Sequence, residues 1–93
     1  MSSCSHLGTI VVHTLPATIP GCEDCLEIGS EWVHLRMCTA CGGIRCCDDS
    51  PNRHASKHHR STGHPIIRSA EWGEDWFWCF EDDLAFAFDP EPI

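Results

Sequence analysis

Basic residues are scarce in this sequence: six Lys and Arg stand against fourteen Asp and Glu in 93 residues, for a formal charge of −8. Binding to a phosphate backbone needs a basic stripe, so nucleic acid is excluded as a general partner. Long apolar runs are missing too. None approaches the roughly 18–20 residues of a membrane span, and the start MSSCSHLG has neither the basic region nor the apolar core of a signal peptide. The expectation is a cytoplasmic, monomeric protein without a membrane partner, and a secreted disulfide scaffold becomes a poor reading. The third shortage is core. A chain this short hides only about 60–65% of the surface its unfolded form exposes, while ordering each residue costs roughly 1–2 kcal/mol of backbone entropy. Something besides apolar burial must hold it together, and the sequence offers eight Cys and seven His.

The basic residues all lie between Arg36 and Arg68, whereas Glu71 to Ile93 holds eight acidic residues and no basic one. Where these segments meet they attract each other; otherwise the acidic end is a solvated tail. The chain reads as one domain, 1–93, without internal repeats. It divides into an N-terminal arm (1–21), a core (22–82) and an acidic end (83–93). Leu7 to Leu15 is β-rich and reads as a strand or extended arm, broken by Pro16, Pro20 and Gly21. Glu31 to Met37 alternates, with Val33, Leu35 and Met37 on one face and Trp32, His34 and Arg36 on the other. Further extended pieces are expected around Ile44 to Cys47, Pro65 to Ser69 and Trp76 to Phe80, and an apolar patch at Leu84 to Phe88 packs back on the domain. One main helix is predicted over about 51–60, with Ser50 as N-cap, Pro51 at the first helical position and Gly63 past its end. Several short strands and one helix make a small α+β fold.

Cys22-Glu-Asp-Cys25 and Cys38-Thr-Ala-Cys41 are both Cys-x2-Cys pairs; Cys46 or Cys47 follows, then His54, His58 and His64. Zinc ligands come as such pairs because one turn presents two side chains to one ion and a second pair closes the tetrahedron. One pair alone also suits a thioredoxin-like redox site, but that needs a βαβ context the sequence lacks. His54 and His58, four apart, share a helical face. His13, His34 and His59 have no partner spacing and read as ordinary surface or core residues.

These motifs, with Trp32-Val33, Gly63-His64-Pro65 and Trp78-Cys79-Phe80, resemble the UBP-type zinc finger, a ubiquitin-binding module of deubiquitinating enzymes and a cytosolic deacetylase. The likeness runs from Cys4 to about Asp82 and is greatest to small stand-alone bacterial members, which carry a Gly-Glu-Asp-Trp-x-Trp-Cys stretch like Gly73 to Cys79. It implies a short twisted antiparallel sheet with interleaved zinc sites: Cys22, Cys25, Cys46 and His54 in one, Cys38, Cys41, His58 and His64 in the other. Cys46 is preferred to Cys47 because it keeps the family's spacing from Cys41. A third site would take Cys4, His6 and Cys79, with Asp82 in place of the family's last cysteine. Zinc is thus the expected cofactor, at two sites and a possible third. Its role would be structural, since each site has four protein ligands and no catalytic base accompanies them, so no enzyme is expected.

Ubiquitin-binding relatives capture a free Gly-Gly tail with aromatic side chains, an Arg shortly after the ligand Cys, and a Tyr. Here Asp48 stands in place of that Arg, and Phe80 in place of that Tyr. An anionic Asp48 repels a tail carboxylate, so the sequence points away from ubiquitin. The leading expectation is a zinc-stabilised module holding a peptide or protein partner in a groove lined by Trp32, Trp76, Trp78 and Phe80. Two rival readings are a redox thiol at Cys47, near Arg45, and zinc sensing through the His-rich helix.

Overall fold

The computed structural model describes residues 7–12, 14–71 and 73–87. Strands β1 (Leu35–Cys38), β2 (Ile44–Cys46), β3 (Ile66–Ser69), β4 (Trp76–Cys79) and β5 (Leu84–Ala87) form one sheet in the order β2-β1-β3-β4-β5. Every pairing is antiparallel. Helices α1 (Glu23–Ile28) and α2 (His54–Thr62) and a 3-10 turn at Leu7–Thr9 complete the elements among the described residues. The small α+β class read from the sequence is the fold observed.

The register sorts the side chains, because directly opposed residues share a face. Leu35 faces Cys46, Ile66 faces Cys79 and Phe77 faces Phe86, so these six point to one side. All are buried. This core face forms two small clusters. The first joins Leu35, Met37 and Ile44 to Cys22, Cys25 and Cys46, with Val12, Leu15, Ile19 and Trp32 packed against it. The second holds Ile66, Phe77, Cys79 and Phe86, where the two Phe rings stack at 5.7 Å. Three members of the first cluster are candidate ligand cysteines, the Cys22–Cys25 pair and Cys46, so the thin core is also a ligand set. Opposite, Arg36, Ile67, Trp76 and Trp78 share the second face, which is only partly covered.

Several expected boundaries shift, each for a physical reason. The Leu7–Leu15 segment is no strand of the sheet: after the 3-10 turn it runs as an arm whose Val11 and Val12 N–H groups both donate to the Thr39 carbonyl at 2.8 Å. The first strand begins at Leu35 rather than Glu31, which leaves Val33 52% exposed. Trp32 instead turns back over Gly21, where a Cβ would lie 2.3 Å from the ring. Helix α1 was not anticipated. At six residues it is too short for apolar periodicity, and local bonds hold it: Cys22 Sγ caps the Cys25 N–H at 3.3 Å, and Gly29, at φ 71, returns its N–H to Cys25.

The main helix starts at His54, three residues later than predicted, and Ser50 is not its cap. The Ser50 hydroxyl accepts the Val33 N–H at 2.8 Å, and Arg53 enters the helix in the left-handed region at φ 49 without a side-chain cap bond. The first helical donor goes to sulfur: His54 N–H reaches Cys46 Sγ at 3.2 Å. Gly63 ends the helix as expected, at φ 78. Ala55 is the sole buried residue of α2. Apolar packing therefore holds this helix weakly, and its attachment falls to its histidines. The apolar patch after residue 83 becomes edge strand β5; Phe88 lies outside the described residues.

Candidate metal centres

Three elements converge on the first centre. Cys22 and Cys25 come from the start of α1, Cys46 from the end of β2 and His54 from the first turn of α2. His54 Nδ1 lies 3.3 Å from Cys22 Sγ, 3.3 Å from Cys25 Sγ and 3.5 Å from Cys46 Sγ, and the Cys25 and Cys46 sulfurs are 3.8 Å apart. The second centre gathers Cys38 and Cys41 from the β1–β2 turn with His58 on α2 and His64 just after it. There Cys38 Sγ to His64 Nδ1 is 3.4 Å, Cys41 Sγ to His58 Nε2 is 3.5 Å, and the two imidazole nitrogens are 3.2 Å apart.

These separations test whether zinc fits. With Zn–S of about 2.3 Å and Zn–N of about 2.0–2.1 Å, a tetrahedron has edges of about 3.8 Å (S to S), 3.5 Å (S to N) and 3.3 Å (N to N). The observed edges match each type, so the donor sets fit zinc in number, chemistry and size. Electrostatics agree. Burial and the neighbouring Cys22 push the Cys25 thiol up to about 12, and burial raises Cys38 as well. Such thiols stay protonated unless a cation replaces their protons. Burial holds His58 below the ordinary histidine value, aided by the charges of Arg45 and His64, which keeps it in the neutral form a metal requires. Zinc, when bound, supplies the crosslinks between the Cys-x2-Cys pairs and the His-bearing α2 region.

Cys47 belongs to neither cluster. As neighbours in an extended segment, Cys46 and Cys47 face opposite sides of the sheet. Cys47 lies near the Ser50 hydroxyl at 3.6 Å and lines a concavity of about 200 Å3 on the second face, with Arg36, Asp48, Trp76, Trp78 and Phe80. Burial raises its thiol pKa, but Ser50, the backbone of Asp49 and His34 and the Arg36 charge outweigh that, and the net shift is downward.

Trp32 does not join this concavity, which corrects the expected four-aromatic groove. It lines a separate hollow of about 550 Å3 beside Leu26, Gly29 and Glu31, because the chain turns back over Gly21 before β1 begins. Cys79 and Asp82 approach each other at 3.9 Å, with Cys79 in the second core cluster. Cys4 and His6, the other proposed ligands of a third site, lie outside the described residues.

Residues supporting the ligands escaped the sequence reading. Asn52 Nδ2 donates to Ser30 Oγ at 2.6 Å and lies 3.7 Å from Cys25 Sγ, and Arg45 bonds Asp24 and Glu23 inside the first cysteine pair. Only the Glu-Asp between Cys22 and Cys25, set against an Arg just before Cys46, hinted at that last contact. His59, which has no partner spacing in the sequence, stacks on Phe80 at 4.5 Å and meets Glu81 at 3.3 Å, so the acidic stretch from Glu71 onward does meet the His-rich helix at Glu81. No helix among the described residues is long and apolar enough to cross a membrane.

Comparison with known proteins follows the same lines. A search of curated proteins gives no significant match. Among solved structures, a protein of Rhodopseudomonas palustris determined by solution NMR is 47% identical, covering 94% of this chain and 83% of its own, with a TM-score of 0.79. The family model described as the Zn-finger in ubiquitin-hydrolases and other proteins matches residues 22–90, which include all eight ligands of both centres. The chain therefore belongs to the UBP-type zinc finger family.

Proposed function

We propose that the protein is a zinc-stabilised binding module, not an enzyme, that holds a polypeptide segment of a partner in the concavity of the second sheet face. The observation that carries this reading is the half-exposed wall of Trp76, Trp78 and Phe80, which the core does not use. Aromatic side chains give large contact area at low entropic cost. The polar ends suit a peptide backbone, which offers both donors and acceptors: Asp48, already accepting the Ser56 hydroxyl, supplies a carboxylate, and Arg36, 4.6 Å over Trp76, supplies N–H groups. Asp48 makes the pocket a poor host for a free tail carboxylate, so a ubiquitin tail is not the favoured ligand. The module would work as a monomer in the reducing cytoplasm, where free thiolates persist as zinc ligands.

The test is titration of the zinc-loaded protein with peptide pools and, separately, with ubiquitin, followed by backbone NMR shifts. Expected are shifts at Trp76, Trp78, Asp48 and Ser56 with a pool member, weakened about tenfold or more in Trp78→Ala. Shifts clustered instead around Trp32 and Leu26 would move the site to the other hollow, and tight ubiquitin binding would overturn the reading of Asp48. The lowered Cys47 pKa, in the same concavity, favours a second reading as a reactive thiol. Alkylation of Cys47 in the zinc-loaded protein at the rate of an ordinary free thiol would dismiss it.

A further inference from the structure

The two centres share no ligand, yet one guanidinium stands between them. Arg45 precedes Cys46 on β2, and its Nε and Nη2 donate to Asp24 and Glu23, each at 3.1 Å. Those carboxylates lie between Cys22 and Cys25, and Glu23 also accepts the Ile44 N–H at 3.2 Å. Both side-chain bonds belong to the first centre. They also fix the plane of the guanidinium, since a fork held at two nitrogens cannot rotate.

The third nitrogen has no such partner. Nη1 is buried and its N–H groups donate no hydrogen bond, the sole side-chain polar atom of that kind among the described residues. It is packed against Gly43, where a Cβ would come within 2.2 Å of it, two residues beyond Cys41. Burial lowers the Arg45 pKa, but Glu23, Asp24 and the Cys41 side chain outweigh it and the net shift is upward, and the Arg45 charge in turn helps hold His58 down. Cys41 is the one exposed ligand of the eight. A neutral thiol is a weak acceptor, whereas a metal-bound thiolate is a charged one.

We propose that Arg45 is a positioning residue for the second centre: its Nη1–H donates to the Cys41 thiolate once zinc is bound, and so ties that centre to the Cys22–Cys25 pair of the first. The bond shields the ligand most open to solvent and explains why a donor is buried there without an acceptor of its own. It also explains the glycine at 43, since any side chain would push Nη1 aside.

The experiment uses the fully loaded protein. Zinc release to a chromophoric chelator is followed in wild type, Arg45→Lys and Gly43→Ala, and cadmium-113 NMR of the cadmium-loaded forms resolves the three-sulfur from the two-sulfur centre. Arg45→Lys keeps one cation against Glu23 and Asp24 but loses the third donor. It should release zinc from the two-sulfur centre about tenfold faster, the lower end of the roughly 10–100-fold range for outer-shell partners, and move that cadmium resonance alone. Gly43→Ala keeps the arginine in the sequence but displaces its Nη1, and should move the same resonance, which keeps the test decisive if Arg45→Lys fails to fold. A Glu23→Gln, Asp24→Asn double variant controls for docking of α1 and should disturb the three-sulfur centre more. Wild-type release with unmoved resonances in Arg45→Lys or Gly43→Ala, or a double variant that reproduces the Arg45→Lys pattern, overturns the proposal.

Discussion

One metal centre lies inside the protein and the other at its rim. The three sulfurs of the first are fully buried and belong to the apolar cluster of Leu35, Met37 and Ile44. In the second only Cys38 is buried; Cys41 is exposed, and His58 and His64 are half-covered. Losing the first removes part of the core, while losing the second frees a turn and the end of a helix. The difference predicts a hierarchy in which the inner centre decides folding and the outer one decides how well α2 is held.

The most severe break of that hierarchy is ligand removal. Each structural zinc site contributes about 10–16 kcal/mol of apparent binding energy, more than the whole stability of a typical domain. Cys25→Ser should therefore give a chain that binds no zinc tightly and lacks native dichroism. Cys41→Ser should stay folded with one zinc ion. Native mass spectrometry beside far-ultraviolet dichroism reads both, and equal unfolding of the two variants would erase the distinction. Under limiting chelator the wild type should pass through a one-zinc species, with the outer ion leaving first.

The ligands of both centres were legible in the sequence because their chemistry demands particular residues at short spacings. Cys22 to Cys25 and Cys38 to Cys41 each close one turn, and His54 to His58 spans one helical turn. Choosing Cys46 over Cys47 needed only family spacing, and the register of β2 explains the choice afterwards. What sequence could not supply was long-range geometry. Ser50 has every mark of a helix cap, yet Val33, seventeen residues earlier, takes its hydroxyl. Trp32 looks like a groove aromatic until Gly21 lets it fold away, and Asn52 and Arg45 become ligand supports only through contacts across the chain.

Two glycines sharpen the comparison at a smaller scale, since each directly precedes a ligand. Gly21, before Cys22, has φ 146, and a Cβ there meets the Trp32 ring at 2.3 Å. Gly63, before His64, has φ 78, and nothing lies within 4 Å of a Cβ. Gly21→Ala overpacks the inner centre and should cost about 1–3 kcal/mol. Gly63→Ala meets only the left-handed backbone penalty, about 1–2 kcal/mol, and Gly63→Asn should recover part of it. Thermal melts of the zinc-loaded proteins rank them. Zinc retention assigns them, with Gly21→Ala weakening the inner ion and Gly63→Ala the outer.

The mildest difference is in proton linkage. Binding zinc releases every proton its ligands carry, so affinity rises with pH according to how many there are. Burial raises the Cys25 and Cys38 thiols, so at neutral pH these ligands carry protons that zinc must displace. With three cysteine ligands against two, the inner centre should show the steeper rise of affinity with pH. His58 adds nothing at neutral pH. Its folded value lies below the ordinary 6.5, so the stability it contributes is present above that value and lost as pH falls through the lowered one. Protonation of His58 therefore opposes zinc binding only at a more acidic pH than that of an unshifted histidine. Competition titrations against a chelator of known pH dependence measure both slopes, and His58→Cys should steepen the outer one while leaving the inner unchanged.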